Sequence, residues 1–266
     1  MENQESVAVV AGGTRGIGRA CALALARRGD KVVIAARTQE NLENIVRRIQ
    51  EEGGRAHAIR ADLSLPSDVM ALFRDIDERF GGVRWLVNCA AALGPLKPLI
   101  GVDPEEWNQT MAINLTGTYL CCRYAAPGMI RRGGGSIVNV TSGLALRVLS
   151  PFGVYSVSKA GVNILTRYLA EELGPSGIRV NAISPGVVDT SMQEEIRTKD
   201  PLEIGEEVHR RFVNLKESGQ LRPPDDVAQL VLFLTSAESN HLNGQIGRLS
   251  DYVAMGWQAP PEIPLH

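Results

Sequence analysis

The fold is decided near the start of the chain, where residues 7–28 read VAVVAGGTRGIGRACALALARR. The first five residues form an apolar run typical of a buried strand, and residues 16–28 have the apolar spacing of a helix. In the glycine-rich turn between them the backbone can approach a pyrophosphate, and the helix N-terminus presents unpaired N–H groups. This order predicts a dinucleotide site, although the spacing Gly-x-x-x-Gly-x-Gly differs from the commoner Gly-x-Gly-x-x-Gly. The turn residues predicted to bind the cofactor are Gly12, Thr14, Arg15, Gly16, Ile17 and Gly18.

The same alternation of strand and helix continues along the chain. Short runs rich in Val, Ile and Ala predict strands at 7–11, 31–36, 56–61, 84–88, 136–141 and 179–184, and a seventh within 244–250. Apolar residues at helical spacing predict helices at 16–28, 39–52, 66–80, 103–132, 153–173 and 224–238. We therefore predict a single α/β domain over residues 1–266. It is a doubly wound Rossmann fold, with a seven-stranded, mostly parallel sheet and helices on both faces.

Two segments depart from this alternation. Residues 189–223 follow a predicted strand and carry Ile204, Val208, Phe212 and Leu215 at helical spacing, which predicts an amphipathic helix. Because such sheets bind ligands beyond the carboxyl ends of their strands, we interpret this segment as a lid over the substrate. The alternative is a surface segment that is exposed to solvent and does not contact the substrate. Residues 256–266 contain three prolines and are expected to form a tail that need not be ordered.

Composition limits the possible partners. The chain has 28 basic and 30 acidic side chains, a formal net charge of -2, which argues against a nucleic-acid-binding protein. No apolar run reaches the ~18 residues of a membrane span, and residues 1–6 are polar, unlike a secretion signal. We therefore expect a cytoplasmic protein without membrane contact. The four cysteines have no CxxC spacing and the four histidines do not cluster, so we expect neither a disulfide nor a metal site.

The end of the second predicted strand indicates which dinucleotide binds. NAD sites place a carboxylate there to hydrogen-bond the ribose 2′-hydroxyl, but this strand ends in Ala35-Ala36-Arg37-Thr38. The guanidinium of Arg37 suits a 2′-phosphate, and Arg15 in the glycine turn can approach it from the other side. These residues predict NADP(H) as the cofactor. For each arginine alone, the alternative is a solvated surface charge.

A second group of residues surrounds position 155. Tyr155 and Lys159 are four residues apart and therefore share one helix face. A free tyrosine titrates near ~10, and a neighbouring ammonium favours the phenolate and lowers that pKa. Ser142 follows a predicted strand and is placed to hold a carbonyl oxygen beside Tyr155. In a chain with this glycine turn, the three residues predict acid–base chemistry on a carbonyl group.

Together these motifs resemble the classical short-chain dehydrogenase/reductase family over nearly the whole chain. The glycine turn and the residues around position 155 stand in the order typical of the family. So do four further motifs: Asp62-Leu63, Asn88-Cys89-Ala90-Ala91, Asn114 and Pro185-Gly186. The resemblance implies an NADP(H)-dependent oxidoreductase in which Tyr155 is the general acid/base and Lys159 binds the nicotinamide ribose. It also implies that Ser142 orients the substrate carbonyl and that Asn114 holds a proton-relaying water.

The resemblance implies further cofactor contacts. Outside the glycine turn and position 37, they involve Asp62, Leu63, Asn88, Tyr155, Lys159, Pro185, Gly186, Val188 and Thr190. Asp62 and Leu63 would border the adenine, and the Val188 backbone and Thr190 hydroxyl would hold the carboxamide. The alternatives are structural: Asn88 satisfying strand-end backbone groups, Asn114 as an ordinary buried amide, and Asp62 or Thr190 as helix caps.

Residues 185–193 and 212–221 resemble the lids of sepiapterin and benzil reductases, which implies reduction of a small-molecule ketone or diketone to an alcohol. One alternative is a 3-oxoacyl-carrier-protein reductase-like enzyme, and a remote one is a non-catalytic NADP-binding regulator. The predicted helices at 103–132 and 153–173 carry more apolar surface than one buried face needs. This surface predicts a homodimer or homotetramer.

Overall fold

The computed structural model describes residues 6–264, so residues 1–5 and 265–266, including the expected polar N-terminus, lie outside this description. The strands are β1 (Val7–Ala11), β2 (Lys31–Ala36), β3 (Arg55–Arg60), β4 (Trp85–Asn88), β5 (Gly135–Val140), β6 (Ile178–Ile183) and β7 (Ile246–Gly247). They form one sheet in the order β3-β2-β1-β4-β5-β6-β7, and every neighbouring pair is parallel. The predicted doubly wound Rossmann fold is confirmed.

Helices cover both faces of this sheet. They are α1 (Gly16–Arg27), α2 (Gln39–Glu51), α3 (Pro66–Phe80), α4 (Pro104–Met111), α5 (Gly117–Arg131), α6 (Gly153–Leu173), α7 (Ser191–Arg197), α8 (Pro201–Ile204), α9 (Glu206–Glu217), α10 (Pro224–Leu234) and α11 (Leu249–Ala254). In β1, Ala8 and Val10 join the core shared with α1, α2 and α10, whereas Val7 and Val9 join the core shared with α3 and α5. Because alternate side chains point to opposite faces, a strand covered on both sides is apolar throughout.

The strand order reverses beside β1. From β1 the chain runs outward to β2 and β3 and then returns to β4, on the other edge of β1. The connections after β1 and β4 therefore lead to opposite sides of the sheet and leave a crevice at the carboxyl ends of these strands. Ala11 pairs with Asn88 across the two strands, so the glycine turn and residues 89–91 face each other there.

The predicted helix at 103–132 is interrupted. Between α4 and α5 the five residues Ala112–Thr116 form a π-helical segment. Such segments occur mostly as single turns inside α-helices, so the chain stays helical on both sides of this one. The segment contains Asn114, so it bears directly on the site.

The lid (residues 189–223) contains three helices and not the single amphipathic helix predicted. Ile204 ends α8, and Gly205 follows with a φ of 90°, which separates Ile204 from Val208 and Phe212 on α9. Positive φ is readily adopted only by glycine, so this residue ends the helical path. Ile204 and Phe212 are nevertheless buried in one apolar cluster under the lid.

The C-terminal region is more compact than expected. Strand β7 has only two residues, because helix α11 begins at Leu249. The Asp251 side chain accepts the N–H of Arg248, the residue before this helix, at 2.7 Å. In the proline-containing segment, which need not be ordered by the sequence alone, Trp257 and Ile263 are buried against the α10 side of the core. Their apolar area explains why residues 256–264 follow the protein surface.

No helix within residues 6–264 is long and apolar enough to cross a membrane. In the same part of the chain, no group of His, Cys, Asp and Glu side chains is arranged to hold a metal ion. The four cysteines carry free thiols, and burial raises the pKa of Cys122 to about 12.

Candidate active site

One pocket at the carboxyl ends of the strands brings together most of the sequence-predicted residues. Those that line it are Gly12, Thr14, Arg15, Gly16, Ile17, Gly18, Arg37, Asp62, Leu63, Ser142, Tyr155, Lys159, Pro185, Gly186, Val188 and Thr190. Asn88 and Asn114 lie outside the lining. Thr190 precedes α7, but its side chain makes no capping hydrogen bond, so the capping alternative is not what the structure shows.

The glycine turn fits a dinucleotide pyrophosphate. Gly12 has a φ of 82°, and a Cβ atom there would lie 2.7 Å from the backbone nitrogen of Ala90. A Cβ atom on Gly18 would collide with the carbonyl oxygen of Gly12. Arg15 has extended backbone geometry and no side-chain cap, so no side chain occupies the first N–H groups of α1. A tight turn that ends in uncapped N–H groups suits a phosphate ligand.

Arg37 and Asp62 lie at one end of the pocket. The Arg37 side chain is exposed, and its carbonyl oxygen accepts a 3.2 Å hydrogen bond from Arg60 Nε. Asp62 accepts bonds from the N–H and hydroxyl of Ser64 at 3.0 and 2.7 Å. Partial burial opposes ionisation of Asp62, but these bonds and the charge of Arg37 outweigh it and lower its pKa. Thr38, Asn41 and Ser64 also line this end, which no sequence motif indicated.

Ser142 and Tyr155 meet in the middle of the pocket. Ser142 follows β5, and Tyr155 lies in the first turn of α6 with 9% of its surface exposed. Burial raises the pKa of Tyr155 to about 12, and a hydrogen bond with the Ser142 side chain acts in the opposite direction. The phenol is therefore protonated at neutral pH and available as a proton donor.

Lys159 lies one turn further along α6 and is buried. Its Nζ donates a 2.7 Å hydrogen bond to the Val140 carbonyl and lies 5.8 Å from the centroid of the Tyr155 ring. Burial lowers the pKa of Lys159 to about 8. Burial of the phenol dominates over its neighbours, so the pKa of Tyr155 lies above its ordinary value and not below it, as the sequence had predicted from Lys159.

Asn114 supports α6 from the π-helical segment. Its Oδ1 accepts the Ala92 N–H at 2.8 Å, and its Nδ2 donates to the Ala92 carbonyl and to Ser158 Oγ, both at 2.9 Å. Ser158 Oγ in turn donates to the Tyr155 carbonyl at 2.7 Å. The fully buried amide thus joins the residues after β4 to the turn that carries Tyr155.

The Asn88 side chain is buried, and its amide nitrogen bonds to side chains of the sheet and of α5. Its Nδ2 donates to Asn139 Oδ1 at 2.9 Å and approaches Cys122 Sγ at 3.4 Å, beneath the pocket. Asn139 continues to Thr166 Oγ1 at 2.9 Å. Asn88 and Asn139 are direct neighbours in the pairing of β4 with β5, which turns both amides toward α5 and α6.

The substrate end of the pocket, defined as the part between Ser142 and the lid, has mainly apolar walls. Phe152 and Phe212 pack with their ring centroids 5.8 Å apart and connect the start of α6 to the lid. The walls further include Leu93, Leu149, Met192 and Ile196. No sequence motif indicated Gln193 or Arg211, whereas Arg147 is a candidate for the basic docking patch that a 3-oxoacyl-carrier-protein reductase would need, with a solvated surface charge as the alternative. All three line the pocket, and Gln193 Oε1 is buried without a partner among the described residues.

Comparison with known proteins agrees with this geometry. A family model described as enoyl-(acyl carrier protein) reductase matches residues 11–249. A short-chain type dehydrogenase/reductase of Picea abies is 35% identical over 252 residues, or 92% of this chain and 90% of that protein. The 3-oxoacyl-[acyl-carrier-protein] reductase of Bos taurus is 37% identical over 242 residues, or 91% and 95% of the two chains. A crystal structure of an actinorhodin polyketide ketoreductase variant with NADPH has a TM-score of 0.85 at 31% identity, covering 94% of this chain and 97% of that one.

The fold and the pocket define an oxidoreductase that uses a nicotinamide cofactor. The chain belongs to the short-chain dehydrogenase/reductase family.

The charge of Lys159 should cost stability at neutral pH. Its pKa is lowered in the folded chain, so above about 8 the unfolded chain binds more protons and the free energy of unfolding rises with pH. Wild type should therefore gain stability relative to Lys159→Met as the pH is raised from about 7 to about 10, measured by urea unfolding. The raised pKa of Tyr155 acts in the opposite direction only above about 10, outside this window.

Lys199→Met provides the matched control, because Lys199 is exposed. Its difference from wild type should not vary over the same pH range. A wild-type advantage over Lys159→Met that stays constant or shrinks with rising pH would contradict the assignment of a buried ammonium.

Proposed function

We propose that this protein is an NADP(H)-dependent enzyme that reduces a ketone or diketone to an alcohol. The observation that carries the proposal is the contact between Ser142 and Tyr155, with Lys159 close by, in the same pocket as the glycine turn. A bound nicotinamide supplies the hydride. The side chains of this chain position the carbonyl group and supply the proton.

Tyr155 is the proposed proton donor to the carbonyl oxygen. Its pKa of about 12 keeps the hydroxyl protonated until substrate binds, and Ser142 is placed to hold the same carbonyl oxygen. Lys159 carries an ammonium at neutral pH, 5.8 Å from the Tyr155 ring centroid. That positive charge stabilises the phenolate as the proton leaves, and the same group is the proposed ligand of the nicotinamide ribose.

Asn114 is proposed as a positioning residue. Through Ser158 it holds the Tyr155 carbonyl, and through Ala92 it holds the backbone that follows β4. This chain of bonds fixes the start of α6 relative to the cofactor crevice. We also propose that Asn114 holds a water that relays protons through Lys159.

The preference for NADP(H) rests on charge. Arg15 and Arg37 line the pocket, and the residues that end β2 include no carboxylate to hold a ribose 2′-hydroxyl. The ketoreductase of similar structure was crystallised with NADPH, which supports the same choice here. We assign the 2′-phosphate to Arg37, with Arg15 on its other side.

A 3-oxoacyl thioester on a carrier protein is the second candidate substrate. The bovine relative, 37% identical, is named a 3-oxoacyl-[acyl-carrier-protein] reductase. The apolar walls of the substrate end suit the acyl chain of such a thioester as well as an aryl diketone. A comparison of both classes of substrate with NADPH separates the two candidates.

We further propose that the chain assembles as a homodimer or homotetramer. Ile130 on α5 and Val157, Ile164 and Tyr168 on α6 are exposed, and the three α6 residues follow one helical stripe. A symmetric pairing of these helices would bury that stripe against its own copy.

The proton donor is tested with Tyr155→Phe. The variant should bind NADPH as wild type does and lose about 10²- to 10⁴-fold in kcat, because position is kept while acid catalysis is lost. The assay compares benzil, an aryl ketone and a 3-oxoacyl thioester, and Tyr124→Phe on α5 provides the control. Retention of more than about a tenth of the wild-type kcat would remove Tyr155 from this role. A wild-type chain that binds NADPH but turns over none of these compounds would instead be a non-catalytic NADP-binding regulator.

Cofactor preference is tested by dissociation constants for NADPH and NADH. Arg37→Ala should weaken NADPH binding by about 5- to 50-fold and leave NADH nearly unchanged, because only NADPH carries the 2′-phosphate. Ala36→Asp should shift the balance further, since a carboxylate there repels the phosphate and can bond the ribose hydroxyls. Arg19→Ala, on an exposed part of α1 outside the pocket, is the control. Equal losses for both cofactors in Arg37→Ala would show that Arg37 does not read the phosphate.

Assembly is tested by light scattering at micromolar concentration. Wild type should have two or four times the 28.8 kDa mass of one chain. Ile164→Glu should shift the protein toward monomer, because it places a charge in the centre of the apolar stripe. Leu202→Glu, at an exposed leucine in the lid, should leave the mass unchanged. A monomeric wild type refutes the assignment.

A further inference from the structure

The substrate end of the pocket has two arginines and no opposing carboxylate. Arg147, in the segment after Ser142, and Arg211, on α9, line the pocket from different elements. Among residues 6–264, the acidic side chain in the pocket lining is Asp62, at the Arg37 end. Apart from Lys159, the charge at the substrate end therefore comes from these two guanidinium groups.

Arg147 reaches back toward the residues that carry out the proposed chemistry. A Cβ atom at Gly143, directly after Ser142, would lie 4.0 Å from Arg147 Nε. The contacts of the described chain include no hydrogen bond or ion pair for this guanidinium. Its five donors thus face the pocket mouth and solvent.

Arg211 approaches the pocket from the lid. It precedes Phe212, whose buried ring packs on Phe152 and fixes this part of α9. Glu207 lies four residues earlier on α9, but the described ion pairs do not include one between the two. Two other lid cations are paired: Lys216 Nζ lies 2.7 Å from Asp189, and Arg222 Nη1 lies 3.3 Å from Asp226.

We propose that the substrate carries an oxyanion, a carboxylate or a phosphate, and that Arg147 and Arg211 bind it at the pocket mouth while the ketone is held at Ser142 and Tyr155. This inference rests on the proposed reduction of a carbonyl group and names the class of its substrate.

The physical reason lies in the arrangement of charge and apolar area. Guanidinium groups offer paired donors that match the geometry of carboxylate and phosphate oxygens. The same pocket is lined by apolar side chains, including Leu149 and Phe152, which suit the carbon skeleton of the substrate. Apolar walls also reduce screening, so an anion at the mouth is attracted more strongly than on an open surface.

The first experiment compares charged and neutral ketones of the same skeleton. The carboxylate probes are 4-oxopentanoate, 5-oxohexanoate and 6-oxoheptanoate, each with its methyl ester, because the series varies the spacing between ketone and anion. The phosphate probe is dihydroxyacetone phosphate, compared with dihydroxyacetone. At least one anion should have a kcat/KM about 5-fold or more above its neutral partner, with the same order in titration calorimetry against the enzyme saturated with NADP⁺. The advantage should shrink as NaCl is raised from about 0.05 M to about 0.5 M.

Variants assign the effect to residues. Arg147→Gln and Arg211→Gln should each reduce the ratio of anion to neutral kcat/KM by about 3-fold or more, mainly through KM. Arg210→Gln is the matched control, because Arg210 is the neighbouring exposed arginine on α9 and does not line this pocket. It should leave the ratio unchanged.

The outcomes separate this inference from the proposed function. Turnover of neutral ketones without any advantage for an anion, or equal ratios in all three variants, overturns the inference and leaves the reductase proposal intact. Binding of an anion that depends on Arg147 and Arg211, without turnover of any ketone, supports the anion site and refutes the reductase. Absence of both turnover and anion-selective binding overturns both.

Discussion

The backbone of Gly12 lies so close to the backbone of Ala90 that no Cβ atom fits between them. This contact joins the turn after β1 to the connection after β4, where the strand order reverses. Because β1 is buried on both faces and paired on both edges, the turn cannot move without disturbing the sheet. The N-terminus of α1 is therefore held at the crevice, and β5, paired to β4, delivers Ser142 to the same edge.

The buried charge of Lys159 lowers the stability of the fold and lies beside the proposed proton donor. A buried ammonium loses its hydration, and one hydrogen bond to the Val140 carbonyl satisfies only one of its three donors. For the fold alone, an apolar side chain of similar length would serve better. The charge lies one helical turn from Tyr155, where the proposed reaction would use it to stabilise the phenolate. The rest of the core offsets this local cost, as is common at functional sites.

How far the sequence predicts the structure depends on which information is local. The helix at 153–173 has the predicted bounds, because the signals that define it are local in the sequence. They are its apolar period and the glycines at its two ends. The π-helical segment around Asn114 was missed, since apolar spacing predicts that a stretch is helical but not which carbonyl each N–H bonds. The direction of the Asn88 side chain depends on its register with Asn139, which only the folded sheet defines. Arg211 carries no motif, and it enters the pocket only because Phe212 anchors α9 on Phe152.

For ligand binding, the position of the charged side chains matters more than the net charge of the chain. The whole chain has a formal net charge of -2, yet among residues 6–264 the charged side chains that line the pocket are Arg15, Arg37, Asp62, Arg147, Lys159 and Arg211. Most of the acidic residues therefore lie on outer surfaces, where water and salt screen them within about 10 Å. In the crevice, apolar walls reduce that screening, so the cations extend a positive potential to its mouth. This distribution supports the proposal of a small anionic substrate, because only a small ligand can enter the region where the field is strong.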